Sequence, residues 1–148
     1  MPSNVPSRKT AREALAALLD TKFSSDWDVF NYKVKQFGGK ARNIVVTSAG
    51  SRRTITGARA AESDSSFRFR VFVFVLFAST AEAWTPQNSD DEIDTAEKNI
   101  SDVCNDNQTN ANWRRLYVDG ESDPDMIVDE GGQTFRREII IIRADVYS

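Results

Sequence analysis

The sequence predicts an α+β domain in which a mostly antiparallel or mixed β-sheet is flanked by two α-helices, with a long loop or projecting hairpin. Two segments repeat apolar residues with helical spacing, and several others alternate apolar and polar residues. Their order is helix, strands, helix, strands, which is typical of helices covering one face of a sheet. With 148 residues, 40% of them hydrophobic, the chain 1–148 is long enough for one core and is predicted to be a single domain.

The first helix is predicted to follow a loose arm at residues 1–6, which contains two prolines. Thr10 and Glu13 have the spacing of a capping box. An apolar stripe from Ala11 through Leu15 to Leu19 then indicates a helix that ends near residue 21.

Two strands and a less regular segment are predicted next. Residues 28–37 alternate like a strand until Gly38 and Gly39 end the pattern, and residues 43–47 form a second short strand. Residues 49–66 are rich in Gly, Ser, Ala and Arg, and we interpret them as a long loop or a projecting hairpin.

The strongest strand pattern covers residues 67–77. Phe67, Phe69 and every second residue to Phe77 share one face. The other face begins with Arg68 and Arg70 and becomes apolar further along. This strand is therefore predicted to begin with one solvated face and to end buried on both.

The second helix is predicted from a capping box formed by Ser89 and Glu92. An apolar stripe follows from Ile93 to Cys104, and the helix is expected to end in the Asn- and Asp-rich run 105–112. Residues 113–118 are predicted to be a strand. Residues 126–129 and 134–146 flank Glu130-Gly131-Gly132-Gln133, which favours a hairpin.

Some strand residues are apolar on the face that helices would leave open. They are Phe72, Phe74, Leu76, Ile139 and Ile141. Either the subunit covers both faces with a helix and a folded-back hairpin, or a neighbouring copy covers the second face, because exposed apolar patches mark interfaces. The sequence leaves both explanations open.

The composition excludes several kinds of site. There is no histidine, which removes the Ser-His-Asp triad and histidine metal ligands, and the single cysteine, Cys104, cannot form an internal disulfide. The longest apolar run is far shorter than the roughly 20 residues of a membrane helix. We therefore expect no catalytic group, metal or cofactor, and no membrane partner.

The charges are distributed unevenly along the chain. Residues 1–74 carry 13 Lys and Arg against 6 Asp and Glu, a net +7, whereas residues 75–148 carry 6 against 16, a net −10. If the two halves occupied different faces, the domain would be electrically polar and could associate with its own copies.

Two charged groups are candidates for contacts. The acidic run from Asp119 to Glu130 offers hard oxygen ligands for a divalent cation, but its spacing is not that of an EF-hand and an ordinary turn is the favoured interpretation. Arg52, Arg53 and Arg59 lie in the 49–66 segment. They could contact an acidic protein surface, and the acidic balance of the chain argues against sequence-specific nucleic-acid recognition.

At this point the sequence resembles the tail terminator (tail completion) family of long-tailed bacteriophages. The similarity is one of element order over residues 8–147. The matching segments are Ala14–Leu19, the strand Arg68–Phe77, the acidic-capped helix Asp90–Cys104, and the strands Trp113–Val118 and Phe135–Arg143.

The resemblance implies a non-enzymatic virion protein of the tail and neck, assembled in the host cytoplasm. Members form a six-subunit ring at the head-proximal end of the tail tube, through which DNA would pass, and the ring ends tube polymerisation and joins the tail to the head connector. The implied partners are other copies of the chain, the tail tube protein and the head-tail connector protein. The expected interface residues are Arg52, Arg53, Arg59, Phe72, Phe74, Ile139 and Ile141.

Three alternatives stay open from the sequence. The first is a head-tail connector or stopper protein of the neck. The second is a metal-dependent hydrolase that uses the acids of 119–130. The third is a monomeric regulatory module of the host.

Overall fold

A computed structural model describes residues 6–23, 27–34, 41–55, 63–77, 85–128 and 132–147. Two helices and a six-stranded mixed sheet confirm the predicted α+β class. In chain order the elements are α1 (Arg8–Phe23), β1 (Asp28–Phe30), β2 (Arg42–Ile55), β3 (Ser63–Leu76), α2 (Pro86–Asp106), β4 (Arg115–Val118), β5 (Asp125–Val128) and β6 (Thr134–Tyr147).

Three long antiparallel strands dominate the sheet. Its order is β1-β2-β3-β6-β4, and β5 also pairs with β6. Strands β2, β3 and β6 each have 14 residues, which corresponds to about 46 Å of extended chain. Strand β6 pairs with β3 along one edge and with β4 and β5 along the other, and only β1 is parallel to its neighbour.

Helix α1 begins one turn earlier than its predicted capping box. Ser7 is the capping residue, since its Oγ accepts a hydrogen bond from the Thr10 amide at 3.1 Å. Glu13 lies 3.7 Å from the Lys9 ammonium. The capping box at Thr10 and Glu13 was therefore wrong, because a serine three residues upstream already caps the helix. Residues 1–5 of the predicted arm lie outside the described residues.

Helix α2 also begins before its predicted cap. Thr85 is the N-cap and accepts the amide of Asn88 at 3.2 Å, while Pro86 occupies the first helical turn. Proline fits there because its missing N–H would have no partner in any case. The capping box at Ser89 and Glu92 was wrong, and Ser89 is fully buried.

The segment 49–66 forms the arms of a hairpin, which was one of its two predicted interpretations. Strand β2 runs on to Ile55 and β3 begins at Ser63, while residues 56–62 lie outside the described residues. The pairing shifts between Ser48 and Gly50, where Gly50 has φ of 121°, a conformation that favours glycine. The small and charged residues of this segment suggested a loop, yet pairing with β3 holds it as a strand.

The other strands largely match their predicted positions. Strand β1 ends at Phe30, well before residue 37, and residues 31–34 continue without strand structure. Strands β5 and β6 pair as an antiparallel hairpin, as predicted, and residues 129–131 between them are not described. The strand predicted at 113–118 is β4, which begins at Arg115.

Both helices pack on one face of the sheet, which we call the helix-side face. The apolar stripes of α1 and α2 are buried there, as their spacing predicted. Ion pairs fasten α2 at its edge, with Arg136 Nε 3.1 Å from Asp90 Oδ1 and Arg42 Nη1 3.7 Å from Glu92 Oε1. The largest fully buried side chains on this side include Leu15, Leu19, Ile44, Phe67, Phe69, Ile93, Ile100, Leu116, Ile140 and Ile142.

Candidate interaction surface

The face of the sheet opposite the helices, which we call the open face, carries two different halves. Alternate residues of β2, β3 and β6 point to it, because side chains alternate along a strand. In the middle of β3, Phe72 lies between Val45 of β2 and Ile139 of β6. Two residues earlier, Arg70 lies between Thr47 and Ile141. The face therefore changes from apolar to basic along the length of the strands.

The apolar half is built on two stacked rings. The ring centroids of Phe72 and Phe74 are 5.9 Å apart with an interplanar angle of 2°, and Phe74 meets Phe135 edge-on at 6.4 Å. Phe30 and Val34, in and after β1, pack against this cluster. As a result Phe74 is only 9% exposed, while Phe72 remains half-buried.

The basic half lies toward the other end of β3. Arg68 and Arg70 are exposed, and no carboxylate among the described residues forms an ion pair with either of them. Beside them Arg143 donates to Asp145 Oδ1 at 3.2 Å and to Ser66 Oγ at 3.0 Å. Asp145 is thus already occupied, so the two exposed arginines give this half an unbalanced positive charge.

Most of the predicted interface residues fall on this open face. Phe72, Ile139 and Ile141 are neighbours on β3 and β6, and each is half-buried. Arg52 is exposed on the same side of β2, opposite Ser66 in the register. The chain itself therefore encloses Phe74 and leaves Phe72, Ile139 and Ile141 partly open, so coverage of these three by a neighbouring copy stays a prediction.

Two of the predicted arginines do not join this surface. The register places Arg53 opposite Ser65, on the helix-side face, where its guanidinium donates to Ser65 Oγ at 3.1 Å and lies 5.5 Å from the Phe67 ring centroid. The bulge after Ser48 and the alternation along β2 separate Arg53 from Arg52. Arg59 lies outside the described residues.

Arg68 and Arg70 are the surface residues that the sequence analysis did not single out as site residues. They are obvious in hindsight, because residues 68, 70 and 72 alternate onto one face of a strand. Arg68 and Arg70 were predicted only to be solvated, and the arginines predicted to lie at an interface were those of the 49–66 segment.

An acidic surface lies on the helix side of the sheet. Helix α2 carries seven acids and one lysine, Lys98, and Asp91, Asp94 and Glu97 are exposed. The loop before β5 adds Glu121 and Asp123, both exposed. Part of the uneven charge along the chain thus becomes a separation in space, with acids on the outer surface of α2 and Arg68 and Arg70 on the open face, although the basic residues of α1 lie on the helix side.

Glu138 of β6 lies beneath this acidic surface and is 6% exposed. Burial raises the pKa of its carboxyl group above the ordinary value, and the negative charges of Glu97, Asp94 and Asp123 act in the same direction, although a hydrogen bond with Ser122 opposes them. Its Oε2 has no hydrogen-bond partner among the described residues. Burial, reinforced by these neighbouring charges, therefore disfavours the ionised form of Glu138.

The acidic turn shows no arrangement suited to a metal in the part of the chain that is described. Asp125 is engaged by Arg137, whose Nε donates to Asp125 Oδ1 at 3.0 Å and whose Nη2 donates to the other oxygen. This bidentate contact lowers the pKa of Asp125. Asp129 and Glu130 lie outside the described residues, and no group of three or more acidic or Cys ligands is assembled among the others.

No family model matches the sequence, and no curated protein matches it. Neither described helix is long and apolar enough to cross a membrane.

Proposed function

We propose that the chain is a structural virion protein that forms a ring at the head-proximal end of a phage tail tube. The ring ends tube polymerisation and provides the surface that joins the tail to the head. One observation carries the proposal: a half-exposed apolar and basic face lies on the opposite side of the sheet from an acidic helix surface. Such a subunit has two unlike surfaces, as a head-to-tail ring requires.

The order of elements supports the tail assignment in particular. Helix α1, the β2–β3 hairpin, the acid-rich α2 and the closing β4–β6 strands follow the order expected from the tail terminator resemblance. The hairpin arms reach well beyond the part of β2 that pairs with β1. Strand β6 accompanies β3 as far as Asp64, so this extension of the sheet is three-stranded, and it is suited to contact a neighbouring subunit or the end of the tube.

The test is reconstitution with tail tube protein from the phage or prophage that carries the gene. Size-exclusion chromatography with light scattering at moderate salt should give a closed oligomer, of which six subunits is the expected size. Added to polymerising tubes, the protein should shorten them in negative-stain images. A persistent monomer with no affinity for tube protein would contradict the proposal.

Two alternatives are separated by the same material. Binding to the head connector rather than to tube ends would indicate a neck stopper. A thermal shift with Mg²⁺ or Mn²⁺ that Asp119→Asn or Asp123→Asn abolishes would indicate a metal-dependent hydrolase, whereas a structural ring protein should show none.

A further inference from the structure

We infer that the open face of one copy docks on the acidic α2 surface of a second copy, with Arg68 and Arg70 opposite Asp91 and Asp94. This inference rests on the self-association in the proposed function and names the two surfaces that perform it. The occupant of the open face is therefore another copy of this chain, identified by its charge.

Charge complementarity carries the first step. Arg68 and Arg70 are exposed and lack an ion-pair partner among the described residues, and Asp91 and Asp94 are exposed on α2. The arginines lie on the open face, while α2 packs on the helix-side face, so the two groups point away from each other within one subunit. They can meet only between subunits.

The same charges select the direction of assembly. In a two-fold dimer that pairs open face with open face, Arg68 and Arg70 would meet either the same arginines of the partner or its apolar half. The first arrangement opposes like charges, and the second buries the arginines without a counter-charge. Pairing open face with α2 instead opposes arginine to aspartate. The contact is therefore heterologous, and a heterologous contact makes a ring when its rotation closes.

The apolar half of the open face supplies the remaining contact. Phe72 and Ile139 are adjacent in the register and half-buried, about 13 Å along the sheet from Arg68. Burial of these side chains would add free energy of association that does not depend on orientation, whereas the arginines set the orientation. This division of roles predicts an association that weakens with salt but does not vanish.

Charge reversal tests the pairing directly. Arg68→Glu/Arg70→Glu makes the open face negative, and Asp91→Lys/Asp94→Lys makes the α2 surface positive. Each variant alone should associate at least about tenfold more weakly than the wild type by light scattering or analytical ultracentrifugation. Mixed in equal amounts they should recover the wild-type oligomer, because each then offers the other a complementary surface at both contacts.

Lys9→Glu/Lys22→Glu is the matched control. Both lysines are exposed on α1, which carries neither the open face nor the α2 acids, and the net charge changes as much as in Arg68→Glu/Arg70→Glu. Lys9 forms an exposed ion pair with Glu13, whose loss costs no more than about 1 kcal/mol. This control should associate like the wild type. Circular dichroism and melting temperature should be close to wild type for all three variants, since every substituted residue is exposed.

Three results would overturn the inference. A wild-type oligomer that neither charge-reversed variant weakens would show that other surfaces join the copies, and the proposed ring would still stand. Failure of the mixture to recover the oligomer, with both variants folded, would show that the two surfaces do not meet. A wild type that binds a DNA duplex through Arg68 and Arg70, with self-association unchanged in the variant, would assign the open face to nucleic acid. By contrast, no association of the wild type, alone or on tubes, would defeat the proposed function itself.

Discussion

Replacing Ile140 and Ile141 by alanine, one at a time, separates the two faces of β6 experimentally. The residues are identical and adjacent in sequence. Ile140 is 2% exposed in the helix-side core and pairs with Val71, whereas Ile141 is half-buried on the open face opposite Arg70. The two substitutions therefore differ in the burial of the side chain, while the residue type and the position along the strand are nearly the same.

The expected magnitudes follow from those environments. Ile140→Ala removes apolar atoms from a fully packed site and leaves a cavity, which costs about 3–4 kcal/mol of unfolding free energy. Ile141→Ala removes atoms that keep contact with water and leaves no closed cavity, so about 1 kcal/mol is expected. The difference of roughly 2–3 kcal/mol is well above the error of a denaturation experiment.

Urea unfolding followed by the fluorescence of the three tryptophans measures both values. Protein concentration should be low enough to keep the chain monomeric, so that association does not add to stability. Ile139→Ala is the control, because it lies on the open face with Ile141 and should behave like it. The order of effects should then reverse for self-association, which Ile141→Ala should weaken more than Ile140→Ala.

Equal losses of stability for Ile140→Ala and Ile141→Ala would refute this reasoning. Such a result would mean that the chain buries both faces of β6 to the same extent. The open face would then have no apolar surface left for a partner, and the proposed contact would lose its hydrophobic contribution.

Four further predictions concern single groups. Burial raises the pKa of Glu138 above its ordinary 4.5. Protonated Glu138 therefore contributes to the free energy of unfolding fully below pH 4.5, and this contribution is lost as the pH rises through the folded-state pKa. Glu138→Gln should be more stable than the wild type at pH 7, and its stability in urea unfolding should depend less on pH. Burial raises the pKa of Cys104 to about 12, so a thiol reagent should label it only after unfolding, and rapid labelling of the native chain would contradict its placement. Asp125→Asn removes an exposed ion pair with Arg137, so a loss of no more than about 1 kcal/mol is expected, absent at pH values below the lowered Asp125 pKa. Gly50→Ala should lower the melting temperature, because a left-handed φ costs about 1–2 kcal/mol for a residue with a side chain, and an unchanged temperature would show that the bulge relaxes.

The sequence predicted the helices and the long strand pattern because these depend on local periodicity. The stripe from Ile93 to Cys104 needs only the helical repeat, and the faces of β3 need only alternation. The helix caps were misplaced because Ser7 and Thr85 cap equally well and compete with the predicted boxes nearer the apolar stripes. No local pattern distinguishes between such neighbouring candidates.

The long-range features of the surface were not accessible in the same way. The interpretation of 49–66 depended on whether a partner strand pairs with it. Arg52 and Arg53 face opposite sides because side chains alternate along β2, and the bulge between Ser48 and Gly50, which only the register reveals, decides which of them joins the open face. Alternation along β3 brings Arg68 and Arg70 to one face, but only the register shows that Arg143 of β6 lies beside Arg68. The acidic surface likewise joins α2 to the loop before β5.

The unequal size of the two apolar clusters implies an order for folding and assembly. The helix-side core spans both helices and the long strands, and its buried residues are enclosed by the chain itself. Within the described part of the chain, the open-face cluster has four buried residues, Val45, Phe74, Leu76 and Phe135, with half-buried neighbours around them. Since the larger core needs no partner, the subunit can fold before it associates. Contact between copies then adds stability to a complete fold, and its charge dependence allows assembly to be controlled without unfolding the subunit.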